Sequence, residues 1–284
     1  MIQSFRQLKN RIKSVDNTRK ITRAMEMVSA AKLNRVKGAF FAHKNYFLSL
    51  ERIFFSFLSD IGPAVHPLLE ERKERTSVSL VVMASDTGLC STYNNNVMKA
   101  AAEFAQGIGR QRIKITAVGK EAFVYFKRDG YDVENSYLGL RGRFSENLAQ
   151  EITNTLINSY LNRSSDETYI AYTHFSSNLR HRPIVEKFLK IEYPRKTKNY
   201  YILEPDKKAI LNDLVSRYLL DKIRVMLLDS MTAEHSARML AMKLATDNAD
   251  ELIDTLTLLK NKARQAAITK EVLEIAMSAE ALKG

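Results

Sequence analysis

Apolar residues at Phe5, Leu8, Ile12 and Val15, and again at Ile21, Met25 and Val28, recur every three or four positions. That is the period of one helix face. Between Met1 and Ile61 the only glycine is Gly38, and there is no proline. The segment is predicted as one long helix of about 80 Å at ~1.5 Å per residue. Gly38 is a candidate bend, since glycine inside a helix costs up to about 1 kcal/mol. Asp60-Ile61-Gly62-Pro63 supplies the stop: glycine past the end, then a proline that cannot extend the helix.

The other end of the chain has the same character. No glycine or proline occurs from Asp206 to Lys283. Pro205-Asp206 is a start signal, with the Asp206 carboxylate able to accept from free amides. Leu252, Leu256, Leu259, Ala263, Ala266, Leu273 and Met277 hold a four-three spacing with one turn skipped at Lys270, which reads as a coiled-coil seam. A rod of that length cannot bury its own stripe, so the first helix is its expected partner. The intervening domain brings the chain back, which makes the pair antiparallel. His235 and Arg238 fall on the same register extended backwards and are its polar exceptions.

Between the helices the period changes. Residues 79–84, 112–118 and 169–175 read as strands, and Val185, Lys187, Leu189, Ile191 and Tyr193 as a fourth ended by Pro194. Helical stretches lie at 94–106, 121–127 and 144–161. Alternating strands and helices imply a largely parallel sheet covered on both faces. The expected fold is therefore α/β: a Rossmann-like domain inserted between N- and C-terminal helices that pair as a long antiparallel two-helix coiled coil. The expected divisions are a helix at 1–61, a connector at 62–76, the central domain (the foot) at 77–205 and the second helix at 206–284.

Charge adds a partner class. The formal net charge of +12 favours acidic partners: nucleic acid, an anionic membrane surface or an acidic protein. Arg6, Lys9, Arg11, Lys13, Arg19, Lys20 and Arg23 face only Asp16 and Glu26 within the first forty residues. Either this is a solvated face or it docks electrostatically to an acidic partner. No apolar leader separates these charges, so no signal peptide is expected. The most apolar stretch, Tyr46 to Leu58, is interrupted by Glu51 and Arg52 and is shorter than the roughly 20 residues a membrane span needs. The single cysteine, Cys90, excludes an intrachain disulfide and fits a reducing compartment.

Candidate chemistry is sparse. Ser85-Asp86-Thr87-Gly88-Leu89-Cys90 follows the first strand, where α/β domains bind phosphates, but neither the dinucleotide nor the P-loop glycine pattern is present. Cys90 has no histidine near it in sequence to activate it and reads as a small buried residue. The histidines lack metal-ligand spacing. Met25, Met27, Met231, Met239, Met242 and Met277 read as helix core or as an adaptable contact surface. Two unrelated functions stay open on these grounds: a basic coiled-coil protein that binds nucleic acid, and a small α/β enzyme with helical extensions.

The chain's ends carry a resemblance that narrows this. Residues 11–32, from Arg11-Ile12-Lys13-Ser14-Val15-Asp16-Asn17-Thr18-Arg19-Lys20 through Met25-Glu26-Met27-Val28-Ser29-Ala30-Ala31-Lys32, resemble the N-terminal signature of the γ subunits of F-type ATP synthases. Ala237-Arg238-Met239-Leu240-Ala241-Met242-Lys243 with Ala245-Thr246-Asp247-Asn248-Ala249 resembles the family's C-terminal helix, and Asn261-Lys262-Ala263-Arg264-Gln265-Ala266-Ala267-Ile268-Thr269 resembles that helix's end. The loop after the first strand departs from the family pattern: Thr87 stands where an arginine is usual, and Ser91-Thr92 where two glycines are. Lys260 replaces a usual tyrosine.

The resemblance implies a non-catalytic central shaft. It would turn with a membrane c-ring driven by an ion gradient and would couple that rotation to ATP synthesis or hydrolysis in β subunits. Implied partners are the α and β subunits, the ε subunit and the c-ring; no nucleic acid, small-molecule substrate, metal or cofactor is implied for this chain. Met25, Arg238, Arg264 and Gln265 would contact β subunits, and Tyr201 and Glu204 would lie at the foot near ε and the c-ring. The implied location is peripheral, on the cytoplasmic face of a bacterial membrane.

Overall fold

The computed structural model describes residues 5–61, 66–70, 76–191 and 206–281. The order of elements is α1 (Phe5–Ile61), β1 (Val78–Met83), α2 (Tyr93–Ile108), β2 (Ile113–Val118), α3 (Lys120–Arg128), β3 (Asp132–Tyr137), α4 (Glu146–Leu161), β4 (Glu167–Ser177), β5 (Arg180–Leu189) and α5 (Lys207–Ala281), with short 3-10 turns at Pro67–Leu69 and Arg110–Arg112. The expected class is the observed one. The chain groups into two compact units, Ser29–Arg238 and Met1–Val28 with Met239–Gly284.

In the unit Ser29–Arg238 the sheet runs β3-β2-β1-β4-β5. β1 is parallel to β2 and β4, β2 is parallel to β3, and β5 is antiparallel to β4. β1 is buried at every position because both faces are covered. Val78, Leu80 and Val82 point into a core shared with α2 and α3, including Val97, Ala101 and Phe126. Val81 and Met83 point the other way, into a core built with α4, α1 and α5, including Ile152, Phe54 and Leu219. The stretches of α1 and α5 that belong to this unit are thus one layer of the domain, not appendages to it. β5 is an edge strand. It carries Arg180, Arg182 and Pro183, which suit an edge because they discourage further pairing.

Within this unit α1 and α5 run antiparallel. The Tyr218 ring stacks on Phe54 at 4.4 Å and on Phe47 at 5.5 Å between centroids. Ser29, Leu33, Val36, Phe40, Phe47, Leu50, Phe54 and Phe57 are buried on α1 and keep a four-three spacing with one half-buried turn at His43. The helix continues unbroken through Gly38, where an added Cβ would meet nothing within 4 Å. α5 begins as expected, with Asp206 Oδ1 accepting from the amides of Lys208 at 2.8 Å and Ala209 at 2.9 Å.

In the other unit the helices are again antiparallel. Arg19 donates to Asp250 at 2.9 Å, and the hydroxyls of Thr22 and Thr246 meet at 2.8 Å. The seam differs from the predicted one. On α5 the inward positions are Met242, Thr246, Ala249, Ile253, Leu256, Lys260 and Ala263. The expected Leu252 and Leu259 face outward, 39% and 46% exposed, and Leu273 and Met277 are 57% and 70% exposed. On α1 the seam is Leu8, Ile12, Val15, Arg19, Thr22 and Glu26, while Ile21 and Val28 are 61% and 57% exposed. Both segments carry two apolar stripes, and the paired stripe is the more polar one. Beyond Ala263, each residue of α5 whose exposure is described is exposed, because the register of the Arg19–Asp250 pair brings the first described turn of α1 level with Arg264.

Phe54 is fully buried and packs on Tyr218. Phe54→Ala should destabilise the full chain by about 3–5 kcal/mol, read from the urea unfolding midpoint.

Candidate coupling site

The carboxyl ends of β1 and β4 form the switch point of this sheet, where open α/β folds bind ligands. Here that position is occupied by the chain itself. The Asp86 carboxylate accepts from the amides of Lys120 at 3.1 Å, Gly139 at 3.1 Å and Arg141 at 2.6 Å. These donors include the first amide of α3, a helix N-terminus whose free N–H groups favour an anion. The residual cavity beside Asp86, Tyr93 and Glu234 is about 20 Å³, room for roughly one water. Gly119, at φ +95°, lies so close to the Ala84 carbonyl that a Cβ would sit 2.2 Å from its oxygen, so the turn after β2 needs a glycine.

α5 closes the same end of the sheet. Its stretch from Met226 to Arg238 is buried all round, and its polar groups bind the loops that surround it. Asp229 accepts from the Phe175 amide at 2.8 Å and pairs with His174 Nδ1 at 2.6 Å. Ser230 meets the Tyr93 hydroxyl at 2.8 Å. His235 Nε2 bonds the Gly142 carbonyl at 2.8 Å, and Ser236 donates to the Asn178 carbonyl at 3.1 Å. Gly142, at φ +64°, lies against the His235 ring, with only 2.3 Å available to a Cβ.

Arg238, expected to reach a β subunit, is 7% exposed. Its guanidinium donates to Glu234 at 2.6 Å, to the Thr87 carbonyl at 2.8 Å and to the Gly88 carbonyl at 3.3 Å. It fastens the loop after β1 to α5. Asn94 closes that loop from within: its Oδ1 accepts from the Ser85 amide at 3.0 Å, and its Nδ2 donates to Cys90 Sγ at 3.3 Å. Burial pushes the Cys90 thiol pKa up, the reverse of what a nucleophile needs. Asp86, Tyr93, Asn94, Ser230 and Glu234 carry this arrangement, and no sequence motif marked them as a set. Asp86 lies in the loop after the first strand that the sequence singled out, and Ser230 and Glu234 showed only as polar residues inside an otherwise apolar helical run.

The other expected contacts lie in the unit formed by the chain's ends. Met25 is half-buried on α1, whereas Arg264 and Gln265 are exposed on α5. Asp16 pairs with Lys20 at 2.8 Å and Arg19 at 2.6 Å, and these contacts, led by the Lys20 hydrogen bond, lower its pKa. Arg6, Lys9, Arg11, Lys13 and Arg23 remain exposed. Tyr201 and Glu204 lie outside the described residues.

A family model described as ATP synthase matches residues 4–282. The ATP synthase gamma chain of Desulforamulus reducens is 39% identical over 284 residues, covering 99% of each chain. That of Pelotomaculum thermopropionicum is 38% identical with the same coverage. The chain belongs to the ATP synthase γ-chain family. It is a γ subunit, a non-catalytic member of its complex. Solved structures agree in fold. A chain of the Euglena gracilis mitochondrial ATP synthase (OSCP/F1/c-ring, rotational state 3) superposes with a TM-score of 0.68 at 15% identity, covering 98% of this chain and 94% of that one. One from the Tetrahymena thermophila mitochondrial ATP synthase central stalk/c-ring gives 0.64 at 20% identity, with 79% and 99% covered. Among the described residues, no helix of this γ chain is long and apolar enough to cross a membrane.

Two outcomes test the clamp in this γ chain. Arg238→Met leaves Glu234 buried without its cation and should cost about 3–5 kcal/mol; adding Glu234→Gln should recover much of that loss in the same unfolding assay. Burial also lowers the pKa of His235, so the fold favours its neutral form. The associated stability is present above the unfolded pKa of about 6.5 and is lost as pH falls below it toward the lowered folded value. His235→Gln should therefore show a smaller drop in urea midpoint between pH 7.5 and 5.5 than the parent chain.

Proposed function

We propose that this γ subunit is the central stalk that couples rotation of a membrane c-ring, driven by an ion gradient, to ATP synthesis or hydrolysis in a surrounding ring of α and β subunits. The observation that carries the reading is the outward face of the unit Met1–Val28 with Met239–Gly284. Apolar Ile21, Val28, Leu259 and Leu273 are exposed there, and the cations Arg6, Lys9, Arg11, Lys13 and Arg23 of α1 are exposed in the same unit. A helix pair that turns its better apolar stripe outward is built to be enclosed by other chains. Family membership supports the identity of those chains.

In this reading Met25, Arg264 and Gln265 contact β subunits, and the exposed cations of α1 meet an acidic β segment. Arg238 acts within the chain, holding α5 to the loop after β1. Tyr201 and Glu204 serve the foot toward ε and the c-ring. The chain holds no cofactor of its own, a view supported by Asp86 and α5 filling the strand-end crevice. It sits peripherally on the cytoplasmic face of the membrane as part of the complex.

The test is reconstitution with α and β subunits. Arg264→Ala with Gln265→Ala should reduce ATP hydrolysis and proton pumping several-fold without changing the stability of the isolated chain; unchanged turnover removes these residues from the contact. Arg11→Gln, Lys13→Gln and Arg23→Gln together should weaken assembly by about tenfold at low salt, at up to about 1 kcal/mol per exposed charge. The difference should shrink as salt is raised. Assembly unaffected at low salt counts against the acidic β segment.

A further inference from the structure

A groove of about 580 Å³ opens in the unit Ser29–Arg238, between α1, the loop preceding α4, and α5. Its floor is apolar: Val36 of α1, Phe144 of the loop and Leu228 of α5. Its rim is cationic: Lys32 and Arg35 of α1 and Arg143 of the loop. No carboxylate lines it, and none of the three cations forms an ion pair among the described residues. Lys32, Arg35 and Val36 share one face of the helix by their spacing.

The groove is held in shape. Lys32 Nζ donates to the Arg141 carbonyl at 3.0 Å, and His235 Nε2 bonds the Gly142 carbonyl at 2.8 Å. These bonds fix the loop on both sides of Gly142 and so set the positions of Arg143 and Phe144. Leu228 is fully buried and Val36 is 7% exposed, so the floor is part of the packed core.

We propose that this groove is a binding site for a small amphipathic anion, its carboxylate or phosphate head among Lys32, Arg35 and Arg143 and its apolar body on Phe144 and Ala39, which Val36 and Leu228 back from the core. The volume suits such a ligand, since small-molecule sites span about 300–1,000 Å³. A neutral apolar ligand would cover the floor but strip water from cations it cannot bond. A bare inorganic anion would satisfy the cations but leave the half-buried Phe144 and Ala39 in water. Only a molecule with both parts answers both surfaces. Cations beside an apolar floor also attract an anion more strongly than cations in open water do.

Calorimetric titration of the full chain tests this with four probes: octanoate, octyl phosphate, octanol and inorganic phosphate. At least one of the two amphipathic anions should bind saturably at one site, at least about tenfold tighter than octanol and inorganic phosphate, and the tighter of the two identifies the head group. Arg35→Gln with Arg143→Gln should weaken that binding by about tenfold. Arg128→Gln, an exposed cation on α3, should leave it unchanged. The proposal is overturned if neither anion saturates, if octanol or inorganic phosphate binds as tightly, if the double variant binds like the parent, or if Arg128→Gln loses as much affinity.

Discussion

The burial of α5 between Met226 and Arg238 is the constraint on which the larger unit depends. A helix sunk among loops brings its own polar side chains out of water. Each such group left without a partner costs about 1–3 kcal/mol. Asp229, Ser230, Ser236 and Arg238 answer this by bonding β4, the start of α2, the β4–β5 turn and the loop after β1. The same bonds that relieve the helix also fix the loops. The sheet therefore cannot shift at its carboxyl end without breaking charge-assisted contacts in a low-dielectric site. His235 leaves its Nδ1 unpaired, which accords with the neutral ring that burial favours.

That constraint also bears on how much room is left at the strand ends of this nucleotide-type fold. In doubly wound sheets the switch point is open, and free amides wait for a phosphate. In this chain Asp86 supplies the anion covalently and α5 fills the space above it. The α/β domain is thus a mount for a helix. The unit at the chain's ends is the complement of this. Its seam is weak, with Arg19, Thr22 and Thr246 where apolar residues would pack best, while stronger apolar side chains face outward. Two helices joined in that way gain little from each other and much from an enclosing partner.

The fold was legible in the sequence because its strands and helices keep different periods. β1 showed as a continuous apolar run because both its faces are covered. β3 did not show, since Asp132–Tyr137 is an edge strand with no fully buried residue and the composition of a turn. The seam was misread for a related reason. Around Leu252 to Leu259 the helix offers two interlaced apolar stripes, and spacing alone selects the more hydrophobic. The more hydrophobic stripe is the exposed one, because coverage by other chains is not a property of this chain's own packing. Arg264 and Gln265 could be named as candidate contacts only by resemblance; an exposed helix position carries no local mark of what will touch it.

The loop after β1 shows what such a resemblance transfers. Thr87 and Ser91 stand where the family pattern has arginine and glycine, and Ser91 adopts φ +54°, a conformation that costs a non-glycine residue about 1–2 kcal/mol. The loop nevertheless closes, because Arg238 bonds main-chain carbonyls at Thr87 and Gly88, and Asn94 bonds the main-chain amide of Ser85. Contacts read by the backbone survive a change of side chain so long as the path of the chain is kept. Strain at Ser91 is tolerated where a buried ion pair, Arg238 with Glu234, holds that path. The clamp acts on the loop's main chain from α5, and the loop's own Ser85 hydroxyl donates to the Thr87 carbonyl at 2.7 Å beside it.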